Sequence, residues 1–133
     1  MKQRTGKTDP AELQSYKWFR KGYKEYRPDA GLNENLKTNL SSYQIIIIGG
    51  TWCPDTQRML PHFYKIIDQA GYPRENATLY MVDTSKKSPE NIAEKYQVKA
   101  VPAFILLKHG QEKGRITEHE RNTLEEDLMD LVK

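Results

Sequence analysis

The sequence predicts an α/β domain of three layers, α/β/α, in which helices cover both faces of a mixed four-stranded sheet. Two observations lead to this prediction. A β-branched run, a helical stripe of apolar residues and a second β-rich run follow one another from residue 43, an order typical of a right-handed parallel crossover. Two later strand patterns meet at His109-Gly110, which indicates an antiparallel hairpin at the edge of the same sheet.

Extra helices are predicted before the sheet. Residues 1–9 are expected to form a polar tail. A helix is predicted over residues 10–27, because proline suits its first position, apolar residues recur at helical spacing, and a second proline follows its end. Leucines four residues apart predict a short helix over 32–40. The chain is therefore divided into residues 1–42, a tail with added helices, and residues 43–133, the α/β domain.

Strands and helices alternate in the second part. Strands are predicted at residues 43–48, 78–82, 103–107 and 111–117. Helices are predicted from Pro54 to Ala70, from Ser88 to Tyr96, and after a Thr123 cap to the end of the chain. The strand over 43–48 is apolar almost throughout, so it is expected to be buried on both faces.

Composition and charge exclude several classes of protein. The 133 residues are 37% hydrophobic and 29% charged, which fits one globular chain with a solvated surface. The longest aliphatic run is Ile45 to Ile48, which is far too short to span a bilayer. The start of the chain has no apolar stretch after its basic residues, so no intact secretory signal is expected and a cytoplasmic location is predicted.

The positive charge is concentrated at one end of the chain. Residues 1–28 contain eight Lys and Arg against three Asp and Glu, whereas the remainder contains 13 against 15. Because a nucleic-acid protein of this size usually spreads its basic residues over a binding face, this distribution counts against nucleic acid as a partner. The basic helix also contains aromatic residues, so it could lie on a membrane surface, although docking of its aromatic side on the domain is the expected outcome.

Cys53 is the candidate nucleophile. It is the only cysteine, which excludes an internal disulfide and a cysteine-rich zinc site. With Pro54 at the first position of a helix, Cys53 is the N-cap, where free N–H groups favour a thiolate, the form that attacks disulfides. Asp55 opposes this effect because it carries a like charge. The alternative is a structural cysteine in a helix cap, but a polar connection before a helix favours a reactive thiol.

Two motifs resemble those of the thioredoxin superfamily: Trp52-Cys53-Pro54-Asp55 and Ala100-Val101-Pro102-Ala103. The resemblance covers residues 43–133 and implies a thioredoxin-like fold, in which a W-C-x-x-C motif opens the first helix of the domain and a cis-proline, here Pro102, faces it. Pro61 resembles the proline that kinks the active-site helix of thioredoxins.

The departures from the family pattern imply a monothiol protein. Thr56 occupies the position of the second cysteine, which normally resolves the mixed disulfide between enzyme and substrate. Ile47 occupies the position of the buried acid that assists that step. The Gly-Gly-x-x-Asp segment with which glutaredoxins bind glutathione does not follow Pro102. Cys53 is therefore expected to attack a disulfide or an oxidised thiol, with an external low-molecular-weight thiol or a reductase completing the cycle.

The predicted site has a catalytic and a substrate-binding part. Cys53 and Thr56 form the catalytic part, and the Thr56 hydroxyl either bonds to the thiolate or serves only as a first-turn structural residue. The substrate-binding residues are Trp52, Pro54, Asp55, Val101 and Pro102. Trp52 is expected to be a partly exposed lid on the cysteine.

The sequence favours a thiol–disulfide oxidoreductase acting on protein or peptide thiols and disulfides. The other interpretation is a non-catalytic thioredoxin-fold module that binds peptides or acts as an adaptor. No cofactor is expected. No metal is expected either, because His62, His109 and His119 are scattered without the spacing of metal ligands.

Overall fold

The computed structural model describes residues 3–132. Within this range the central sheet has five strands, arranged in the order β1-β3-β2-β4-β5. The strands are β1 (Gly6–Thr8), β2 (Gln44–Gly49), β3 (Ala77–Met81), β4 (Ala103–Lys108) and β5 (Gln111–Thr117). The α-helices are α1 (Lys17–Glu25), α2 (Ala30–Asn39), α3 (Pro54–Gln69), α4 (Ile92–Lys95) and α5 (Leu124–Val132).

The predicted fold class is confirmed. Strands β2 and β3 are parallel, with Ile47 beside Leu79, and α3 forms the crossover between them. Strand β4 runs antiparallel to β2, and β5 runs antiparallel to β4 after the turn at His109-Gly110. The sheet is therefore mixed, as predicted, although it contains one strand more than the four expected.

The additional strand comes from the segment that was expected to be a polar tail, so that prediction is wrong for Gly6–Thr8. These residues run antiparallel to β3, with Gly6 opposite Met81. The Lys7 backbone N–H, which faces away from the sheet, donates to Glu90 Oε2 at 2.8 Å. Three residues are too few to show a periodic pattern, and the pairing depends on the open edge of β3, which a local pattern does not reveal. Residues 1 and 2 of the expected tail lie outside the described residues.

The helix predicted over residues 10–27 is divided into two. A 3-10 helix with Asp9 as its N-cap covers Pro10–Ser15, and α1 follows it. Tyr16 between them has extended backbone angles. This break lets Leu13 and Phe19, one from each helix, reach the same buried cluster.

Helix α1 packs against α3 at Gly22, a residue without a side chain, which faces the Pro61 ring. A Cβ added to Gly22 would lie 2.6 Å from Pro61 Cγ, so glycine is required for this close approach. Tyr23 extends the contact, because its hydroxyl donates to Asp68 Oδ2 at 2.6 Å. The aromatic side of the basic helix is therefore docked on the domain, as expected.

The helix predicted from Ser88 to Tyr96 is shorter than expected. Only Ile92–Lys95 is helical, and Asn91, not Ser88, precedes it with a left-handed φ of 52°. The side chain of Glu90 accepts the bond from β1 described above, so the segment before α4 is fixed by contacts with the N-terminal strand.

The two faces of the sheet are covered unequally. Most helices share one buried cluster with the sheet, to which Phe19, Leu36, Phe63 and Leu128 belong. Among the described helices only α4 contributes to the cluster on the opposite face, together with Cys53, Ile48 and Val101. No helix within residues 3–132 is both long enough and apolar enough to cross a membrane.

Candidate functional site

Cys53 lies between β2 and α3, at the predicted N-cap of the helix, and Pro54 occupies the first helical position. The Cys53 backbone N–H donates to the Gly50 carbonyl at 3.0 Å, so the cysteine closes a tight turn after the strand. The side chain is 7% exposed. Because its side chain makes no capping bond, the free N–H groups at the start of α3 stay available to an anion at this position.

The second motif meets the first in space. The peptide bond between Val101 and Pro102 is cis, as predicted. The Cys53 thiol donates to the Val101 carbonyl oxygen, with Sγ 3.5 Å away, across 48 residues of sequence. The Glu118 backbone N–H donates to the Pro102 carbonyl at 2.8 Å, which fixes this loop to the end of β5. The sulfur is thus flanked by a helix start on one side and a fixed loop on the other.

Trp52 forms a wall beside the cysteine. Its indole Nε1–H donates to the Val82 carbonyl at 2.9 Å, and the ring is partly exposed, as predicted. A Cβ on Gly50 would lie 2.5 Å from the ring, so glycine is needed for the indole to approach the backbone this closely. The ring packs in the same apolar cluster as Cys53 and Val82.

Thr56 is completely buried on the first turn of α3. Its Oγ1 accepts the Gly50 N–H at 3.2 Å. This bond corresponds to the structural alternative for Thr56, because it holds the loop that carries Trp52 and Cys53. Ile47, at the position of the family's buried acid, lies in the apolar core.

Two charged residues that the sequence analysis did not single out, Arg58 and Glu120, lie near the start of α3. Arg58 Nη1 donates to both carboxylate oxygens of Glu120, at 2.9 and 3.0 Å. The same guanidinium lies 3.7 Å from Asp55, so the carboxylate next to the cysteine is partly compensated. Arg58 and Glu120 are 62 residues apart in the chain and match no motif, so only the fold brings them together.

His62 takes part in packing. Its ring stacks on Tyr26 with centroids 4.0 Å apart, and burial, followed by the nearby charge of Arg58, lowers the pKa of His62. In the described part of the chain no group of three or more His, Cys, Asp or Glu side chains is arranged to bind a metal. A cavity of about 660 Å³ lies between β1, β3 and the 3-10 helix, but no residue of the predicted site lines it.

Comparison with known proteins gives a consistent result. The thioredoxin family model matches residues 30–130. The chain is 36% identical to mitochondrial thioredoxin-3 of Saccharomyces cerevisiae over an alignment of 87 residues. This alignment covers 65% of the chain and 64% of that protein. It is 33% identical to chloroplastic thioredoxin Y of Oryza sativa subsp. japonica over 61 residues. This alignment covers 46% of the chain and 33% of that protein.

The chain thus spans less than two thirds of the length of these two relatives. Among solved structures, oxidised thioredoxin O2 of Arabidopsis thaliana superposes with a TM-score of 0.51 and 20% identity. The superposition covers 77% of this chain and 85% of that one. At this identity the superposition supports the fold alone.

Proposed function

Because the chain belongs to the thioredoxin family, we propose that it is a monothiol thiol–disulfide oxidoreductase in which Cys53 is the nucleophile. Thioredoxins exchange thiols with disulfides in general, and this chain contains a single cysteine for that chemistry. The position of Cys53 is the observation that carries the proposal. Its sulfur lies at the N-terminus of α3 and 3.5 Å from the Val101 carbonyl.

The chemistry consists of two exchanges. The Cys53 thiolate attacks one sulfur of a disulfide, the S–S bond breaks, and the other sulfur leaves as a thiolate. The product is a mixed disulfide between Cys53 and the substrate. Since Thr56 has no sulfur, an external thiol or a reductase must attack the mixed disulfide, which restores the Cys53 thiol and transfers the substrate sulfur to the external thiol. Each exchange consumes one disulfide and forms another, so no further oxidant or reductant is required.

The neighbouring residues form the surface on which the substrate lies. We propose that Trp52 and Pro54 contact the substrate beside the sulfur, and that Val101 and Pro102 present a backbone edge to an extended peptide. Asp55 lies on the helix side of this surface. The proposed partners are protein or peptide disulfides. The proposed location is the cytoplasm, although the relatives include mitochondrial and chloroplastic thioredoxins.

Burial of Cys53 is the observation that favours the second candidate, a peptide-binding or adaptor module. With 7% of its surface exposed, the residue would in that case be a structural remnant of the family motif. The two candidates differ in thiol reactivity. A nucleophile at a helix start reacts with a disulfide faster than a free peptide thiol does, and a structural cysteine reacts more slowly.

The test is a single-turnover reaction with a small peptide disulfide at neutral pH, followed by mass spectrometry. We expect one equivalent of mixed disulfide on Cys53, formed faster than on a cysteine peptide and stable until glutathione or dithiothreitol is added. Cys53→Ser is the control and should form none. A rate at or below that of the free peptide would favour the adaptor. Repeated reduction of insulin with thioredoxin reductase as the sole reductant would show that a reductase, and not a low-molecular-weight thiol, resolves the mixed disulfide.

A further inference from the structure

The loop that follows β3 places a lysine at the border of the Cys53 site. The Lys86 ammonium lies over the Trp52 ring, with Nζ 5.8 Å from the ring centroid. The indole is itself fixed through its bond to the Val82 carbonyl. Lys86 is separated from Cys53 by 33 positions and belongs to no motif, so the fold alone brings it to the site.

Hydrogen bonds fix the backbone of the loop around Lys86. Asp83 Oδ1 accepts the backbone N–H groups of Ser85 at 2.9 Å and Lys87 at 3.0 Å. The Asp83 carbonyl accepts the Lys86 N–H at 2.8 Å. Gln3 braces the loop from outside, because its Oε1 accepts the Thr84 N–H at 3.0 Å.

The backbone of Lys86 is left-handed, with φ of 61°. A lysine side chain gains nothing from this conformation, which glycine or asparagine adopts more readily. The surrounding hydrogen bonds impose it, and in this conformation the side chain extends toward Trp52. The loop thus fixes the backbone from which the Lys86 side chain extends, and the ammonium lies over the Trp52 ring.

Lys86 has no ion-pair partner among the residues that the structure describes. Within residues 3–132 no carboxylate lies within 4.0 Å of it, whereas Arg4, Arg58, Arg74 and Arg115 all form ion pairs. The Asp83 carboxylate in the same loop is occupied by two backbone donors. The loop carries Lys86 and Lys87 against the single carboxylate of Asp83, so the Trp52 side of the site has a net positive charge, while the α3 side carries Asp55 beside its Arg58 partner.

We propose that Lys86 forms an anion subsite next to Cys53, and that the preferred substrates are disulfides with a carboxylate beside the reacting sulfur. Peptides with Asp or Glu next to the disulfide cysteine belong to this class. The inference rests on the proposed function, because it concerns the substrate of the same thiol. Attraction between the ammonium and a substrate carboxylate increases the encounter rate and the stability of the complex, and salt screens it.

The experiment compares two peptide disulfides that differ only in having Glu or Gln after the cysteine. The second-order rate of mixed-disulfide formation on Cys53 is measured for each, and the ratio of the Glu rate to the Gln rate is the readout. We expect a ratio of about three for the wild-type protein at low salt, decreasing to about one in 1 M salt.

Variants of neighbouring lysines separate a subsite from a general effect of net charge. Lys86→Gln should decrease the ratio to about one, and Lys86→Glu should invert it. Lys86→Arg should keep it. Lys87 is an exposed residue of the same loop. Lys87→Gln therefore removes the same charge, and it should leave the ratio as in the wild type.

The outcomes distinguish the two proposals. If both peptides react and the ratio responds equally to Lys86→Gln and Lys87→Gln, or to neither, the anion subsite is refuted and the oxidoreductase proposal stands. If neither peptide forms a mixed disulfide with Cys53, the proposed function is refuted, and the subsite with it.

Discussion

At the residue scale, one hydroxyl holds the loop that carries the site. Thr56 Oγ1 accepts the Gly50 N–H in a fully buried position. Thr56→Val keeps the shape of the side chain but leaves this N–H without an acceptor, so it should lower the free energy of unfolding by about 1–3 kcal/mol. Thr56→Ser retains the acceptor and should lose less. Urea denaturation of both variants measures the difference, and a valine variant as stable as wild type would show that the bond contributes little.

The same position offers a test of the site geometry. Residues 53 and 56 are the N-cap and the third residue of α3, so Thr56→Cys should place two sulfurs on one side of the helix start, with Cα atoms roughly 5–6 Å apart. Mild oxidation should give an intramolecular disulfide, seen as the loss of two thiols in a monomer. Reductase activity should appear but stay slow, because Ile47 has no carboxylate to accept a proton. Intermolecular disulfides alone would contradict this arrangement.

The parts of the site that the sequence predicted are those with a local or a family signal. Pro54 after a strand places Cys53 at the cap, and the second motif identifies the cis-proline loop. The pair of Arg58 and Glu120 has no such signal, because its two members come from separate elements. The bond between Thr56 and Gly50 depends on how the turn after β2 folds back, so the sequence left two alternatives open for this residue.

At the scale of elements, the contact between α1 and α3 depends on a missing side chain. Gly22→Ala would place a Cβ 2.6 Å from the Pro61 ring and force the helices apart, so we expect a loss of about 1–3 kcal/mol of stability. Gly31→Ala is the matched control. In the exposed first turn of α2 the nearest atom to its Cβ is 3.4 Å away, so the variant should be neutral or more stable by up to about 1 kcal/mol. Thermal denaturation gives both values, and equal effects would exclude a steric cause.

Helix boundaries were predicted well where capping residues act locally and poorly where tertiary contacts decide. Pro54 and Thr123 mark the starts of α3 and α5 as the structure has them. The apolar spacing across Tyr16 is helical, yet the chain bends there so that both flanking helices reach the core. The segment before α4 has helix signals at Ser88, but its contact with β1 keeps it irregular.

At the scale of the whole molecule, buried tyrosines should make the protein sensitive to alkali. Burial raises the pKa of Tyr64 and of Tyr72. The folded state therefore favours the neutral phenol. Each buried tyrosine contributes its full stabilisation below the ordinary tyrosine pKa of about 10, and this stabilisation is lost as the pH rises above that value. Stability measured by urea denaturation at successive pH values should therefore decline above pH 10.

Two variants test which tyrosine causes the decline in stability above pH 10. Within the described residues the Tyr64 hydroxyl has no hydrogen-bond partner, so Tyr64→Phe should keep or increase stability at pH 7 and flatten the alkaline decline. The Tyr72 hydroxyl donates to the Tyr43 carbonyl at 2.6 Å. Tyr72→Phe should therefore cost about 1–2 kcal/mol at pH 7. An unchanged pH profile in both variants would mean that other groups cause the decline.

The three-residue strand β1 also has a consequence for how copies of the protein meet. It covers the edge of β3 at Leu79 to Met81, while the other outer strand, β5, bears Glu112, Lys113 and Arg115, and charged side chains of this kind oppose aggregation. Removing residues 1–8 would leave unpaired N–H and C=O groups along β3, a template for strands of other molecules. We expect the shortened protein to scatter more light than the intact chain at the same concentration, and equal scattering would mean that the edge is protected by something other than β1.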